Sequence, residues 1–344
     1  MIRRIRRIFP APDSRVQVPI GDDAAVLALP PSQRLVVTTD QLVEGVHFHR
    51  GTHPPALLGE KALAVNLSDL AAMGCTPRWA LLSLLLPFDL PPRYLEQILR
   101  GMARSARRYG VSLIGGNLSS SKMLALDVTL LGTMEPGVRP LRRSGARPGD
   151  MIYVSGSLGG AALGLSLLSA GWRMNQSGPA ARRLRDSLGR LAQGALRAHL
   201  APVPELELGS LLARHALATA AMDLSDGLSL DLHRLCRASR VGARIFSSAL
   251  PLDPAALKWV GEEQALELAL RGGEDYRLLF AVPRSRTRRL CRLVPLGRLH
   301  PIGQMVRRSR GITLEDDQGH SRTLSPIGFD HLIAGNLSNR RVPH

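Results

Sequence analysis

Aspartates recur in this chain beside small or hydroxyl-bearing residues. Asp22 and Asp23 follow Gly21, Asp40 follows Thr38-Thr39, Asp69 sits inside Asn66-Leu67-Ser68-Asp69-Leu70, and Asp223 and Asp226 share Asp223-Leu224-Ser225-Asp226-Gly227. Asp69 stands in a stretch apolar enough to be buried, where an unpaired charge is costly. No basic residue close to it in sequence offers itself as a partner. Converging carboxylates are reconciled by a hard divalent cation, and Mg²⁺ takes oxygen ligands: one or two carboxylates, waters and substrate phosphates. Capping or salt-bridging by Asp69 is the structural alternative on that stretch alone. The ten histidines are scattered, and Cys75, Cys236 and Cys291 form no Cys-x-x-Cys pair, so zinc and a disulfide framework are disfavoured. Free thiols suit a reducing cytoplasm.

The chain carries neither a Gly-x-x-x-x-Gly-Lys-Ser/Thr loop nor a His-Arg-Asp loop. Two glycine pairs remain as phosphate-binding candidates, Gly115-Gly116-Asn117 and Gly272-Gly273-Glu274. Paired glycines after a strand let backbone N–H groups approach phosphate oxygens, although such pairs also make ordinary turns. Leu67-Ser68-Asp69 precedes the first pair by the same separation as Leu224-Ser225-Asp226 precedes the second, an echo that coincidence explains better than duplication, since the intervening sequences do not match. His47, three residues after Glu44, is the histidine near an acidic motif.

These groups need elements to hold them. Residues 24–28 and 34–39 read as strands, and 54–73 as a helix stopped by Gly74 and Pro77. The apolar run 79–86 reads as a buried strand. A helix opened by Pro91-Pro92 runs to 109, with Gly110 in the C-cap place. A short strand at 111–114 leads into the first glycine pair as a loop, and 124–133 is another strand. The Pro-, Gly- and Arg-rich stretch 137–149 marks a domain boundary. Beyond it, strands are expected at 151–155, 241–246, 276–282, 301–306 and 311–314, with helices at 159–170, 206–220, 227–239 and 254–270. Residues 171–185 read as a polar surface segment. The domains predicted are 1–138 and 139–334. A tail follows at 335–344.

With 344 residues and 44% hydrophobic content, the chain is long enough for two globular domains. Its longest apolar run is too short to span a bilayer, and no signal-peptide core follows the basic first nine residues. The net charge of +17 rests almost wholly on arginine, the lysines being Lys61, Lys122 and Lys258. Such charge suits polyanions. Nucleic acid is the weaker partner class, because aromatics are only 4% and no recognition motif is present. A cytoplasmic, membrane-free protein acting on phosphorylated metabolites is expected.

Taken in order, Gly21-Asp22-Asp23, Thr39-Asp40 with His47-Phe48, the helix motif from Lys61 to Gly74, Arg143-Ser144-Gly145-Ala146 with Pro148-Gly149-Asp150, Asp223 to Leu228, and Gly272 to Tyr276 resemble the thiamine-monophosphate kinases. The resemblance covers residues 18–332. Single motifs are shared with a superfamily that includes aminoimidazole ribonucleotide synthetase and selenophosphate synthetase. It implies an α/β fold of α+β type, a two-domain aminoimidazole ribonucleotide synthetase-like architecture with mixed sheets flanked by helices. It implies a homodimer paired through the N-terminal domains, and transfer of the γ-phosphoryl of ATP, with several Mg²⁺ ions, to thiamine monophosphate. By matching position, Asp23, Thr38, Thr39, Asp40, Asp69, Asp223 and Asp226 correspond to metal-site residues. Gly116, Asn117, Arg143 and Ser225 correspond to ATP contacts, and His47, Glu274 and Phe329 to substrate contacts. The chain departs from the pattern at Asn117, where aspartate is commoner, and in Leu118-Ser119-Ser120. No general base is expected, because a phosphate monoester with a second pKa of about 6 is already a nucleophile near neutral pH. Two alternatives are a nucleotide- or nucleic-acid-binding protein without turnover, and another ATP-dependent synthetase of the superfamily. The selenophosphate branch would bring a cysteine or lysine near the N-terminus, and none precedes Lys61.

Overall fold

The computed structural model describes residues 2–9, 13–20, 24–174, 187–295 and 297–328. Two compact units divide the chain: Met1–Arg142 with Leu200–Ala218, and Arg143–His199 with Thr219–His344.

The first unit runs α1 (Ile2–Ile8), β1 (Val16–Val18), β2 (Val26–Leu27), β3 (Arg34–Val43), α2 (Pro55–Met73), β4 (Thr76–Pro87), α3 (Pro92–Tyr109), β5 (Ser112–Ser121) and β6 (Ala125–Met134). Its main sheet has the order β3-β6-β4-β5, antiparallel except for the parallel β4/β5 pair. Pro55 opens α2 in the first turn, where its missing N–H goes unmissed. Gly74 closes α2 with φ 72°, and the Gly74 and Cys75 N–H groups donate to Ala71 and Leu70 carbonyls. Between Leu58 and Ala72 almost every residue of α2 is buried. A helix apolar on all faces belongs inside a core. It lies against α3 with backbones in contact: a Cβ at Gly101 would stand 1.8 Å from the Ala56 carbonyl oxygen, and one at Gly59 2.0 Å from that of Ile98. The inner face of the sheet, with Leu42, Leu82, Leu84, Leu126, Val128 and Leu130, completes this core.

The segment Leu200–Ala218, inside the 139–334 domain expected from the sequence, packs with the first unit. Its helix Leu206–Arg214, the sixth in chain order, lies on α2 with Gly209 close enough that a Cβ would meet the Ala71 carbonyl at 1.9 Å. The helix expected to reach residue 220 stops at Arg214, and the chain turns through Ala216 at φ 49°.

The second unit runs β7 (Met151–Ser155), α4 (Gly160–Ser169), α5 (Ser187–Leu200), then, past α6 (Leu206–Arg214), β8 (Ala220–Asp223), α7 (Leu228–Ser239), β9 (Val241–Phe246), α8 (Pro254–Arg271), β10 (Leu278–Val282), α9 (Arg284–Leu293), β11 (Leu299–Arg307), β12 (Ile312–Glu315) and β13 (Ser321–Thr323). The seven strands take the order β13-β12-β9-β11-β7-β10-β8, with β9/β12 parallel and the other pairs antiparallel. Ile152, Val154, Met222, Leu235, Ile245, Leu279 and Met305 are among its buried core. The strand expected from residue 276 begins at Leu278, because Glu274 and Tyr276 adopt φ of 68° and 48°. Both units are mixed sheets flanked by helices, as the sequence implies. Among the described residues no helix is long and apolar enough to cross a membrane.

Candidate active site

In the first unit the site begins on β3. Strand alternation turns Thr38, Asp40 and Leu42 to the α2 side of the sheet and Thr39 and Gln41 to the other. The Thr38 hydroxyl donates to Asp69 Oδ2 at 2.5 Å, and Asp69 is half-buried between the fully buried Ser68 and Leu70. The hydroxyl partner answers the desolvation problem that the sequence poses for Asp69. Asp40 is exposed on the same side of β3. Thr39 instead lies within 3.2 Å of Asp127 Oδ1, the Val128 carbonyl and Thr129 Oγ1. The metal-site set expected from the sequence is therefore split by the sheet: Thr38, Asp40 and Asp69 together, Thr39 on the far face.

Gly116 and Asn117 were expected in a loop. They lie inside β5, which continues to Ser121 because it stays paired with β4 as far as Pro87. Gly116 has φ 150° and its Cβ position is 1.9 Å from the Leu82 carbonyl, so this close strand approach admits glycine alone. Asn117 pairs in register with Ser83, which on its other side pairs with Asp127. Its side-chain amide donates to Ser119 Oγ at 3.2 Å. His47 Nδ1 accepts the Val43 N–H at 3.0 Å, which places the proton of the neutral ring on Nε2.

In the second unit, β8 delivers Asp223 at its end and α7 begins after Gly227. Between them the Ser225 and Asp226 N–H groups both donate to Asp231 Oδ2, at 3.1 and 3.0 Å. Asp231 is completely buried in the first turn of α7. Burial pushes its carboxyl up to about 6, against the Asp226 N–H and the Arg234 guanidinium, which favour the charged form. Arg234 Nη1 reaches Asp231 Oδ1 at 2.7 Å and also bonds the Asp226 carboxylate. The second glycine pair meets this turn directly. Glu274 N–H donates to the Ser225 carbonyl at 2.7 Å and Tyr276 N–H to that of Leu224 at 2.8 Å. A Cβ at Gly273 would stand 2.6 Å from the Ser225 carbonyl oxygen. Glu274 is thereby brought beside Ser225 and Asp226, and its carboxylate meets Nδ1 of the buried His199 at 2.8 Å.

Arg143 does not join that cluster within the second unit. Its carbonyl accepts from Ser239 Oγ at 2.8 Å, at the far end of α7. A helix of that length separates its two ends by roughly 18 Å. Asp23 and Phe329 lie outside the described residues. Sequence reading missed Asp127, Asp231, Arg234 and His199. Asp127 was visible as a lone carboxylate in a strand alternating with buried Leu126, Val128 and Leu130. Asp231 and Arg234 follow Asp226 at helical spacing, whereas nothing in the sequence links His199 to Glu274.

Among the described residues no three or more carboxylates, histidines or cysteines gather as a metal-holding group. The donors present are hard oxygens, with an exposed Asp40 beside the Thr38–Asp69 pair. Mg²⁺ held mainly by substrate phosphates asks for only one or two protein carboxylates, and this donor set fits that requirement.

Comparison with known proteins divides the chain within the stretch 134–147, and its second part includes Leu200–Ala218. Residues 21–134 match the AIR synthase related protein, N-terminal domain, and residues 147–314 its C-terminal domain. The thiamine-monophosphate kinase of Escherichia coli K12 is 41% identical over 92% of both chains. The crystal structure of thiamine-monophosphate kinase from Stenotrophomonas maltophilia superposes with a TM-score of 0.79 at 35% identity, covering 94% of this chain and 96% of the other. A structure described as AaThiL complexed with AMPPCP and TMP superposes at 0.74, with 35% identity over 91% of each chain. With its two domain models matched and relatives this similar along nearly its full length, the chain belongs to the thiamine-monophosphate kinase family of the AIR synthase-related proteins.

Proposed function

We propose that this protein phosphorylates thiamine monophosphate with ATP, giving thiamine diphosphate and ADP by direct in-line transfer. The observation that carries the reading is the likeness to the AaThiL structure complexed with AMPPCP, an ATP analogue, and TMP. The chemistry of the described residues agrees. The acceptor phosphate is its own nucleophile, so the catalytic problem is to bring two polyanions together in line. Mg²⁺, when bound, supplies charge neutralisation and polarises the transferring phosphoryl group. Asp40 and Asp69 in the first domain, with Asp23, and Asp223 and Asp226 in the second are the carboxylates that would hold it. Thr38 fixes the Asp69 carboxylate, and Asp231 fixes the backbone that carries Asp226. His47, Glu274 and Phe329 are proposed to touch the acceptor, and Gly116, Asn117, Arg143 and Ser225 the nucleotide.

The reading includes a cytoplasmic homodimer joined through the first domains. Its support is the outer face of the four-stranded sheet, where the neighbouring Leu35 and Val37 of β3 are 40% and 56% exposed. Apolar side chains collected on one sheet face mark an interaction surface.

Incubation with ATP, Mg²⁺ and thiamine monophosphate, followed by chromatography, tests the activity. Thiamine diphosphate and ADP are expected in equal amounts, with free thiamine a poor acceptor because it lacks the charged nucleophile. Turnover of free thiamine with none of the monophosphate would overturn the reading.

A further inference from the structure

A cluster of positive charge in the first unit lies between α1 and α3, in a groove of about 490 Å³ lined by Arg4, Arg7, Arg100, Arg104 and Arg107 together with Glu96. Helical spacing creates it. Arg100, Arg104 and Arg107 follow one another at four and three residues and share one face of α3, while Arg4 and Arg7 share one face of α1. Glu96 pairs with Arg4 and, at 2.7 Å, with Arg100. Arg104 reaches Glu60 of α2 at 2.9 Å. Arg107 Nη2 donates to the Ile8 carbonyl at 2.6 Å, which fastens the end of α1. Arg7 has no carboxylate partner among the described residues. Guanidinium groups thus outnumber carboxylates in a concave space, and the repulsion that Glu96 and Glu60 leave uncompensated is reduced further when an anion enters.

We propose that this groove binds a small, multiply charged phosphoanion, a di- or triphosphate chain. Guanidinium forks from two helices match phosphate oxygens in pairs. The volume falls within the roughly 300–1,000 Å³ of small-molecule sites. A concave cluster of this size suits a compact ligand, whereas nucleic acid requires a stripe that follows a backbone. Binding would also join α1 more firmly to α3, since Arg4 and Arg7 come from one helix and the other arginines from its neighbour.

Equilibrium dialysis of the whole protein with inorganic triphosphate tests this, in metal-free buffer at roughly physiological ionic strength, where exposed charges act only at short range. Without metal, the carboxylate-lined site repels the probe. Wild type is expected to bind, and Arg7→Ala with Arg100→Ala to weaken binding about tenfold or more, since each loses charge-assisted hydrogen bonds. A control pair of exposed α9 arginines, Arg288→Ala with Arg292→Ala, should bind as wild type. Circular dichroism of each variant checks folding, and if the alanine pair is misfolded, Arg7→Lys with Arg100→Lys takes its place, retaining charge but losing the forks, with intermediate binding expected. Binding unchanged in the groove variants, or lost equally in the control, would overturn the proposal. So would an oligonucleotide that needs these arginines when triphosphate binds to neither form. ATP binding that is tighter than that of triphosphate and weakened in the groove variants would identify a nucleotide as the source of the phosphate chain, and equal binding so weakened the chain alone; both outcomes support the site.

Discussion

Asp231 touches neither acceptor nor nucleotide in the proposed reaction, yet it holds two backbone N–H groups of the turn carrying Ser225 and Asp226. It acts through that turn and is a positioning residue. Asp231→Asn keeps the size but replaces one acceptor oxygen with a donor that faces either the turn or Arg234. Loss of such a supporting contact costs about 10–100-fold in metal affinity or activity. The expected outcome is a higher Mg²⁺ concentration for half-maximal rate, with the acceptor KM nearly unchanged. A Mg²⁺ titration identical to wild type would reject the role. The carboxylate motifs themselves were legible in the sequence because Asp next to Ser, Thr or Gly is a compact signal. Their supports were not, since His199 and Glu274 meet only after the chain has folded through α6, α7 and α8.

Asp275 does for a helix what Asp231 does for a turn. Its carboxylate accepts the Gly159 and Ala161 N–H groups, at 2.7 and 3.2 Å, where α4 begins with no capping side chain of its own. Burial pushes this carboxyl up to about 6, further than those two N–H bonds bring it down. The folded protein therefore holds the proton more tightly than the unfolded chain does. The contribution of Asp275 to stability is fullest below about pH 4 and is lost as pH rises through about 6, amounting to about 3 kcal/mol at most. Asp275→Asn, which does not titrate, should gain stability relative to wild type between pH 4 and 6.5 in urea denaturation. A difference between the two that is constant across this range would refute the assignment. At this scale α2, α3 and their glycine caps were legible, because Pro at the start and Gly at the end are local signals. The extent of β5 was not. Gly115-Gly116 reads as a loop to any local rule, and only the parallel partner β4 makes it a strand. The end of α6 was hidden for a similar reason: apart from Thr219, Ala216 to Ala221 are good helix formers, and pairing with β10 decides that Ala220 and Ala221 extend.

At the scale of the molecule, the outer face of the first sheet sets the expected assembly. In sedimentation the wild type should run as a dimer, and Val37→Asp should shift it toward monomer by placing a charge in a desolvated apolar contact. A wild type that is monomeric at every concentration tested would remove the dimer from the proposed function.

The first unit draws its last helix from beyond the Arg143–His199 part of the second, for Leu200–Ala218 returns to cover α2 beside Ala71. A ribosome adding roughly 5–20 residues per second would therefore leave that side of α2 bare for several seconds after Arg142 has emerged. During synthesis this protein cannot fold its domains strictly one after the other. The first must wait, part-built and with an apolar flank open, while the strand β7 and the helices α4 and α5 of the second pass through the exit tunnel. Truncation between residues 142 and 200 would make that waiting state permanent.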